Sequence, residues 1–291
     1  MKNEKGCAIF GPAGNSDDFF EAGNKSALEA PAWIRKHGLD CYEYQCGHGV
    51  RISEDAAALL GEKAREHGIL LSVHAPYYIS LSSTEAEKRD NSITYILQTL
   101  RAAKAMGADR IVVHSGSCGK ITRKEALSLA SDTLTRALEQ AEKEGYGDIY
   151  ICPETMGKVN QLGNVEEVIK LCQLSDRLLP TIDFGHVNAQ TIGGLKEKED
   201  FAKLLDALES KLNPYQAREF HAHYSRIEYT KAGEKKHHTY DEVEFEPDFE
   251  PLAELLAERG LAPRIICESA GTQTKDSVAI QELYQRKKEN Q

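Results

Sequence analysis

Short apolar runs alternate with longer stretches of helical period along most of this chain. The runs at 7–11 (CAIFG), 41–45 (CYEYQ), 69–75 (ILLSVHA), 110–116 (RIVVHSG), 148–154 (DIYICPE), 180–185 (PTIDFG), 219–224 (EFHAHY) and 264–269 (RIICES) read as strands. Between them, 54–68 (EDAAALLGEKAREHG) and 123–145 (RKEALSLASDTLTRALEQAEKEG) are the clearest amphipathic helices. Gly38, Gly68, Gly107, Gly145 and Gly260 follow such stretches, where a helix ends on a left-handed residue. Repeated helix–glycine–strand alternation implies parallel strands joined by helical crossovers. Eight such units predict one closed (β/α)8 TIM barrel spanning residues 1–291, with its chemistry at the C-terminal ends of the strands. A doubly wound open sheet would instead spread those ends along a line. The longest predicted loop is 224–250, charged and aromatic, and loops of that length are often functional.

What stands at the strand ends changes the picture. The apolar run ends on His74 in SVHAPY, His114 in IVVHSGS, Glu154 in ICPET, Asp183 and His186 in TIDFGH, His221 in EFHAHY and Glu268 in RIICES. One histidine after a strand means little, whereas six strands delivering imidazole and carboxylate to the same end imply a shared site. That donor set suits zinc or a similar divalent ion, and a carboxylate can bridge two ions. Glu154 and Glu268 each close an apolar strand, where a carboxylate is costly unless it is paired, solvated or metal-bound. Asp183 and His186 lie three apart; the plainer reading is a helix-capping aspartate and an exposed histidine. His221 and His223 alternate on the seventh strand, so both can face inward; His221 is the expected ligand and His223 a supporting or packing residue. Of His237 and His238, in a basic loop, one can close the cage. Such a site suits metal-assisted hydrolysis. GPAGNS at 11–16 lacks the spacing of a P-loop or dinucleotide fingerprint, and there is no nucleophilic serine elbow.

Composition sets bounds around this. The chain has 291 residues, 41% hydrophobic and 28% charged, which describes an ordinary globular protein with a sizeable core. A net charge of −10 argues against indiscriminate nucleic-acid binding through a basic surface, but not against a local basic groove. Seven cysteines without a CxxC do not form a disulfide framework, so a reducing cytoplasm is expected. The segment MKNEKGCAIFG has no signal-type apolar stretch and no run is long enough to span a bilayer, so no membrane association is expected. The protein is expected to act as a monomer.

Taken in order, HAPYYISLSS (74–83), IDFGH (182–186) and HAHYSR…HH (221–238) resemble the signatures of the endonuclease IV family of apurinic/apyrimidinic-site repair enzymes. That family is a (β/α)8 barrel holding three zinc ions that hydrolyse the phosphodiester bond 5′ of an abasic site. The resemblance implies that His74, His114 and Glu154 bind one ion, that Glu154, Asp183, His221 and Glu268 bind a second, and that His186 and His237 serve a third. It further implies catalytic roles for Glu154 and Glu268, two or three zinc ions with manganese as the alternative metal, and abasic double-stranded DNA as partner. Tyr77 matches the family's groove-contacting tyrosine; YQCGHGVRIS (44–53) offers only Arg51 and His48 where the family carries a basic segment. Two further departures stand out. Lys235 occupies the position of the third ion's aspartate, with Glu234 one residue away, and TYDEVEFEPDFE replaces the glycine-flanked acidic segment after the loop histidines. The alternative is a sugar isomerase or epimerase of the xylose isomerase-like barrels, in which Glu154, Asp183, His221 and Glu268 would hold a single divalent ion and the glutamates would move a proton beside a carbonyl. A non-catalytic metal-stabilised barrel would show a fully coordinated ion with no open position.

Overall fold

The computed structural model describes residue 3 and residues 5–290; Met1, Lys2, Glu4 and Gln291 of the predicted 1–291 span lie outside the described residues. The expected barrel is present. Its strands are β1 (Ile9–Pro12), β2 (Cys41–Gln45), β3 (Leu70–His74), β4 (Arg110–His114), β5 (Tyr150–Glu154), β6 (Thr181–Asp183), β7 (His221–Tyr224) and, after two hairpin strands β8 (Arg226–Thr230) and β9 (Gly233–His238), β10 (Arg264–Cys267). The parallel sheet runs in the order β1-β10-β7-β6-β5-β4-β3-β2. Its two ends meet through the bridge between Ala13 and Glu43 and through Asp40 N donating to Phe10 O at 3.0 Å. Both faces of such a sheet are covered, which is why β3 and β10 are buried along their whole length instead of alternating.

The crossovers are α1 (Asp17–Glu21), α2 (Ala30–Lys36), α3 (Glu54–Glu66), α4 (Ala86–Met106), α5 (Arg123–Lys143), α6 (Val165–Cys172), α7 (Phe184–Gln190), α8 (Lys198–Lys211), α9 (Pro214–Arg218), α10 (Glu250–Arg259) and α11 (Gln273–Glu289). Local chemistry explains their limits. Helix α5 starts on a reciprocal cap in which Thr122 Oγ1 accepts from Glu125 N and Glu125 Oε2 accepts from Thr122 N. Its buried stripe, Ala126, Ala130, Leu134, Ala137 and Ala141, follows the helical period and faces the barrel. Gly107 ends α4 and Gly260 ends α10 in left-handed conformation. The amphipathic stretches 54–68 and 123–145 thus stop a residue or two before their closing glycines.

The predicted loop 224–250 needs correction. Its first half is the antiparallel hairpin β8–β9, folded over the C-terminal rim of the barrel. The floor is closed at the other end by Arg264, 2% exposed, whose Nη2 lies 2.9 Å from Asp109 Oδ1 and whose Nη1 donates to Leu71 O at 2.9 Å. All seven cysteines are unpaired and six are buried, in keeping with the absence of a disulfide framework.

Closure of the barrel at β1–β2 rests on Gly11. A Cβ there would lie 1.7 Å from the carbonyl oxygen of Cys41, a backbone atom that cannot turn away. Gly11→Ala is expected to lower the unfolding free energy by about 2 kcal/mol or more, measured by urea denaturation. An unchanged midpoint would mean the strands do not approach as described.

Candidate metal centre

Glu154 ends β5 with its carboxylate 1% exposed, and four imidazoles surround it. His74 Nε2 and His114 Nε2 stand 3.4 and 3.5 Å from Oε2, while His223 Nδ1 and His186 Nδ1 stand 3.0 and 3.5 Å from Oε1. Burial alone would raise the carboxyl pKa; the charge and hydrogen bond of His223, then the close imidazoles of His74 and His114, outweigh it and hold the group well below its usual range. The reverse holds at His74, where burial lowers the imidazole but Glu154 prevails and carries it up to about 9. His114 falls to about 4, because burial there is opposed less strongly by Glu154. His74, His114 and Glu154 form the first group of converging donor atoms.

Asp183, His223 and Glu268 join Glu154 in a second group. Here the structure differs from the sequence reading, which puts His221 in this group. The register pairs His223 with Asp183 at the end of β6, and His221 with Thr181 two residues deeper. Two residues along a strand are about 6.6 Å, so only His223 reaches the carboxylate layer. His221 is fully buried beneath it, its Nε2 2.9 Å from Glu43 Oε2, and burial pushes its imidazole down to about 3. Asp183 caps a helix, as its plainer reading expects, and also turns its second oxygen toward the cluster. Its Oδ1 caps α7 by accepting from His186 N at 2.7 Å, while its Oδ2 has no hydrogen-bond partner and lies 3.3 Å from His186 Nδ1. His186 is held on the first turn of α7 and is buried, not exposed on a loop.

The third group is His186, Glu234 and His237. Glu234 is displaced by one residue from the aspartate position of the family pattern, and the hairpin explains how it enters. Glu228 pairs with Lys236 but Tyr229 pairs with Glu234, so Lys235 is an extra residue in β9. Positions 234 and 237 would face opposite sides of a regular strand; one inserted residue puts them on the same side. Lys235 turns outward to Glu228 at 2.5 Å. Glu234 Oε2 then lies 3.6 Å from His186 Nε2, and its Oε1 lies 3.6 Å from His237 Nε2. The close imidazole of His237 is the main reason its pKa falls to about 2. His237 Nδ1 is set by Ser225 Oγ at 2.7 Å, whereas His238 stacks on Phe245 with ring centroids 3.6 Å apart and stays outside.

The donors fit a divalent metal on an observation independent of any likeness. Glu154 Oε2 and Asp183 Oδ2 are buried oxygens without hydrogen-bond partners, facing imidazoles in sets of three and four nitrogen and oxygen donors. A cavity of about 360 Å³ opens over them, lined also by Gln45, Tyr77, Met156, Lys158 and Gln161. Glu268 lines it, with a pKa raised by burial. Tyr77 is 55% exposed at the mouth, stacked on His114 at 5.7 Å; Gly47 makes room for its ring. Arg51 is exposed and is not among the residues lining this cavity.

The xylose isomerase-like TIM barrel family model matches residues 31–286. An uncharacterized protein of Methanocaldococcus jannaschii is 31% identical, over 95% of this chain and 96% of its own. Probable endonuclease 4 of Acholeplasma laidlawii is 31% identical over 40% of this chain, which spans only 39% of that relative. Two solved structures share the fold: a D-tagatose 3-epimerase-like protein (TM-score 0.70, 22% identity, 97% of each chain) and endonuclease IV from Thermus thermophilus (TM-score 0.69, 18% identity, 97% of this chain and 100% of that one).

The raised imidazoles set the pH dependence of metal binding. His186, like His74, lies at about 9: burial lowers it, but Asp183, Glu154 and Glu234 together outweigh burial. At about pH 7 these rings, and that of His223, which the carboxylates of Glu268, Glu43 and Glu154 hold well above its usual range, therefore carry protons that a cation must displace, so zinc affinity should rise with pH between about pH 7 and about pH 9. Competition with a chromophoric chelator measures this, and an affinity independent of pH across that range would contradict the described electrostatics.

Proposed function

The chain belongs to the xylose isomerase-like TIM barrel family, and from that premise we propose that it is a zinc-dependent phosphodiesterase of the endonuclease IV type, cutting DNA 5′ of abasic sites. The observation that carries this reading is the third donor group. His186, Glu234 and His237 add to the quartet Glu154, Asp183, His223 and Glu268 a set that a single-ion isomerase or epimerase has no use for. His74, His114 and Glu154 would hold one ion, the quartet a second and the hairpin group a third, with Glu154 shared. When bound, ions so placed supply Lewis-acid charge for attacking and leaving oxygens of a phosphodiester.

The chain's own residues do the rest. Glu268 lines the cavity just after β10; it would help hold the second ion and is the carboxylate placed to take a proton from the attacking water. Lys158, Gln45 and Gln161 offer donors at the rim to phosphate oxygens. Tyr77 presents a ring face for stacking on a base or sugar beside the lesion. The competing reading, a sugar isomerase or epimerase using the quartet alone, is favoured by the likeness to the D-tagatose 3-epimerase-like fold and would leave the hairpin group without a catalytic task.

A zinc-loaded preparation incubated with an end-labelled duplex containing one abasic site should give a nick 5′ of the lesion. Glu154→Gln is expected to lower the rate by about 10³-fold or more, because several kcal/mol of barrier stabilisation are lost at 1.36 kcal/mol per tenfold. Tyr77→Ala is expected to raise KM by roughly tenfold with metal content unchanged, the cost of one stacking contact. A fully loaded protein that leaves the duplex intact but exchanges the proton beside a ketose carbonyl would replace this reading with the epimerase one.

A further inference from the structure

Glu43 takes no part in binding ions in the reading above, yet it is a fully buried carboxylate directly under the centre. Its Oε2 lies 2.9 Å from His221 Nε2 and its Oε1 3.0 Å from His223 Nε2. Ser72 Oγ donates to Oε2 at 2.9 Å, and Gln45 Nε2 to Oε1 at 3.2 Å. His223 therefore spans two layers. Its Nε2 edge faces Glu43 in the barrel interior, and its Nδ1 edge faces Glu154 at 3.0 Å, Glu268 at 3.4 Å and Asp183 at 4.0 Å.

We propose that Glu43, backed by His221, is a positioning residue of the metal centre: it holds the Nε2 edge of His223 and so presents Nδ1 to Glu154, Asp183 and Glu268. A neutral imidazole has one lone pair, and the group beside the other nitrogen decides which edge carries it. Negative charge next to Nε2 keeps the proton on that side and leaves Nδ1 free for a cation. Neither His221 Nε2 nor His223 Nε2 has an aligned hydrogen-bond acceptor, so the coupling is one of charge at close range more than of a directed bond. An isolated carboxylate in a barrel interior is expensive, and an apolar residue would pack β2 against β7 at lower cost. His221 is level with Thr181, too deep to join the donors around Glu154, but it flanks the second Glu43 oxygen from the same strand that carries His223.

This inference rests on the centre binding metal, and the two fail differently. Zinc affinity of the full chain and of Glu43→Gln is measured by chelator competition, with unfolding curves of the metal-free proteins and visible spectra of the cobalt-loaded ones. Glu43→Gln should bind roughly 10- to 100-fold more weakly while still folding, with an altered cobalt spectrum, since outer-shell partners of ligating histidines have effects of that size. A folded variant with wild-type affinity and spectrum overturns the proposal. If Glu43→Gln fails to fold, Ser72→Ala removes one donor to the same carboxylate and should weaken binding roughly three- to tenfold; unchanged affinity there overturns it as well. Loss of one whole equivalent of zinc, the others binding as in the wild type, overturns it in favour of an ion seated at Glu43 itself. A wild-type chain that binds no zinc overturns the metal-centre reading beneath it.

Discussion

A carboxylate that ends a buried strand must be neutralised, and much of the upper half of this barrel is arranged to do so for Glu154. Four imidazoles from β3, β4, β7 and α7 stand within 3.5 Å of its two oxygens. Removing one partner from such an assembly leaves charge stranded in a medium that cannot solvate it, which is costly. Removing the whole assembly for apolar packing would cost the fold little. The arrangement therefore makes sense as a site more than as a brace. The orphaned oxygens of Glu154 and Asp183 say the same, for they face the cluster without a hydrogen bond to offset their burial.

The hairpin β8–β9 adds Glu234 and His237 to this cluster and is anchored beside it. Glu234 N donates to Gly157 O at 3.0 Å and Val159 N to Ala232 O at 3.1 Å, tying the hairpin to the loop after β5. Gly157 is needed there, since a Cβ would come within 2.6 Å of the Glu234 side chain. That loop is in turn held by Arg123, which donates to the carbonyls of Val159 and Gln161 at 3.0 Å each and pairs with Glu167. Lys158 and Gln161 at the cavity rim thus sit on a loop fixed from both sides. Groups meant to orient a substrate gain from such rigidity.

The strands and the positions of most candidate site residues could be read from the sequence because both follow from short-range rules. A run of apolar β-branched residues closed by a polar side chain marks a strand end in a barrel, and His74, His114, Glu154 and Asp183 all lie where that rule puts them. Four features were out of reach for physical reasons. Choosing between His221 and His223 requires the register of β7 against β6, and residues two apart on one strand share a face and so share every periodic signal. Glu234 enters through a single inserted residue at Lys235, and no local pattern distinguishes a bulge from a regular strand in GEKKHH. The hairpin itself was hidden because its strands are charged and half exposed, without the alternation that marks a buried face. Glu43 is hidden for a related reason: in CYEYQ an inward glutamate reads like any polar residue of an alternating strand until its partners on β7 are known.

The number of ions that Glu154 and its neighbours hold when metal is supplied would separate a three-ion phosphodiesterase from a one-ion isomerase or epimerase. The most direct measurement is an anomalous difference map at the zinc edge from crystals grown with zinc and washed free of excess. Three peaks are predicted: one against His74, His114 and Glu154, one against Glu154, Asp183, His223 and Glu268, and one against His186, Glu234 and His237. A single peak within the quartet, with the hairpin histidines bare, would contradict that reading and make this a one-ion barrel.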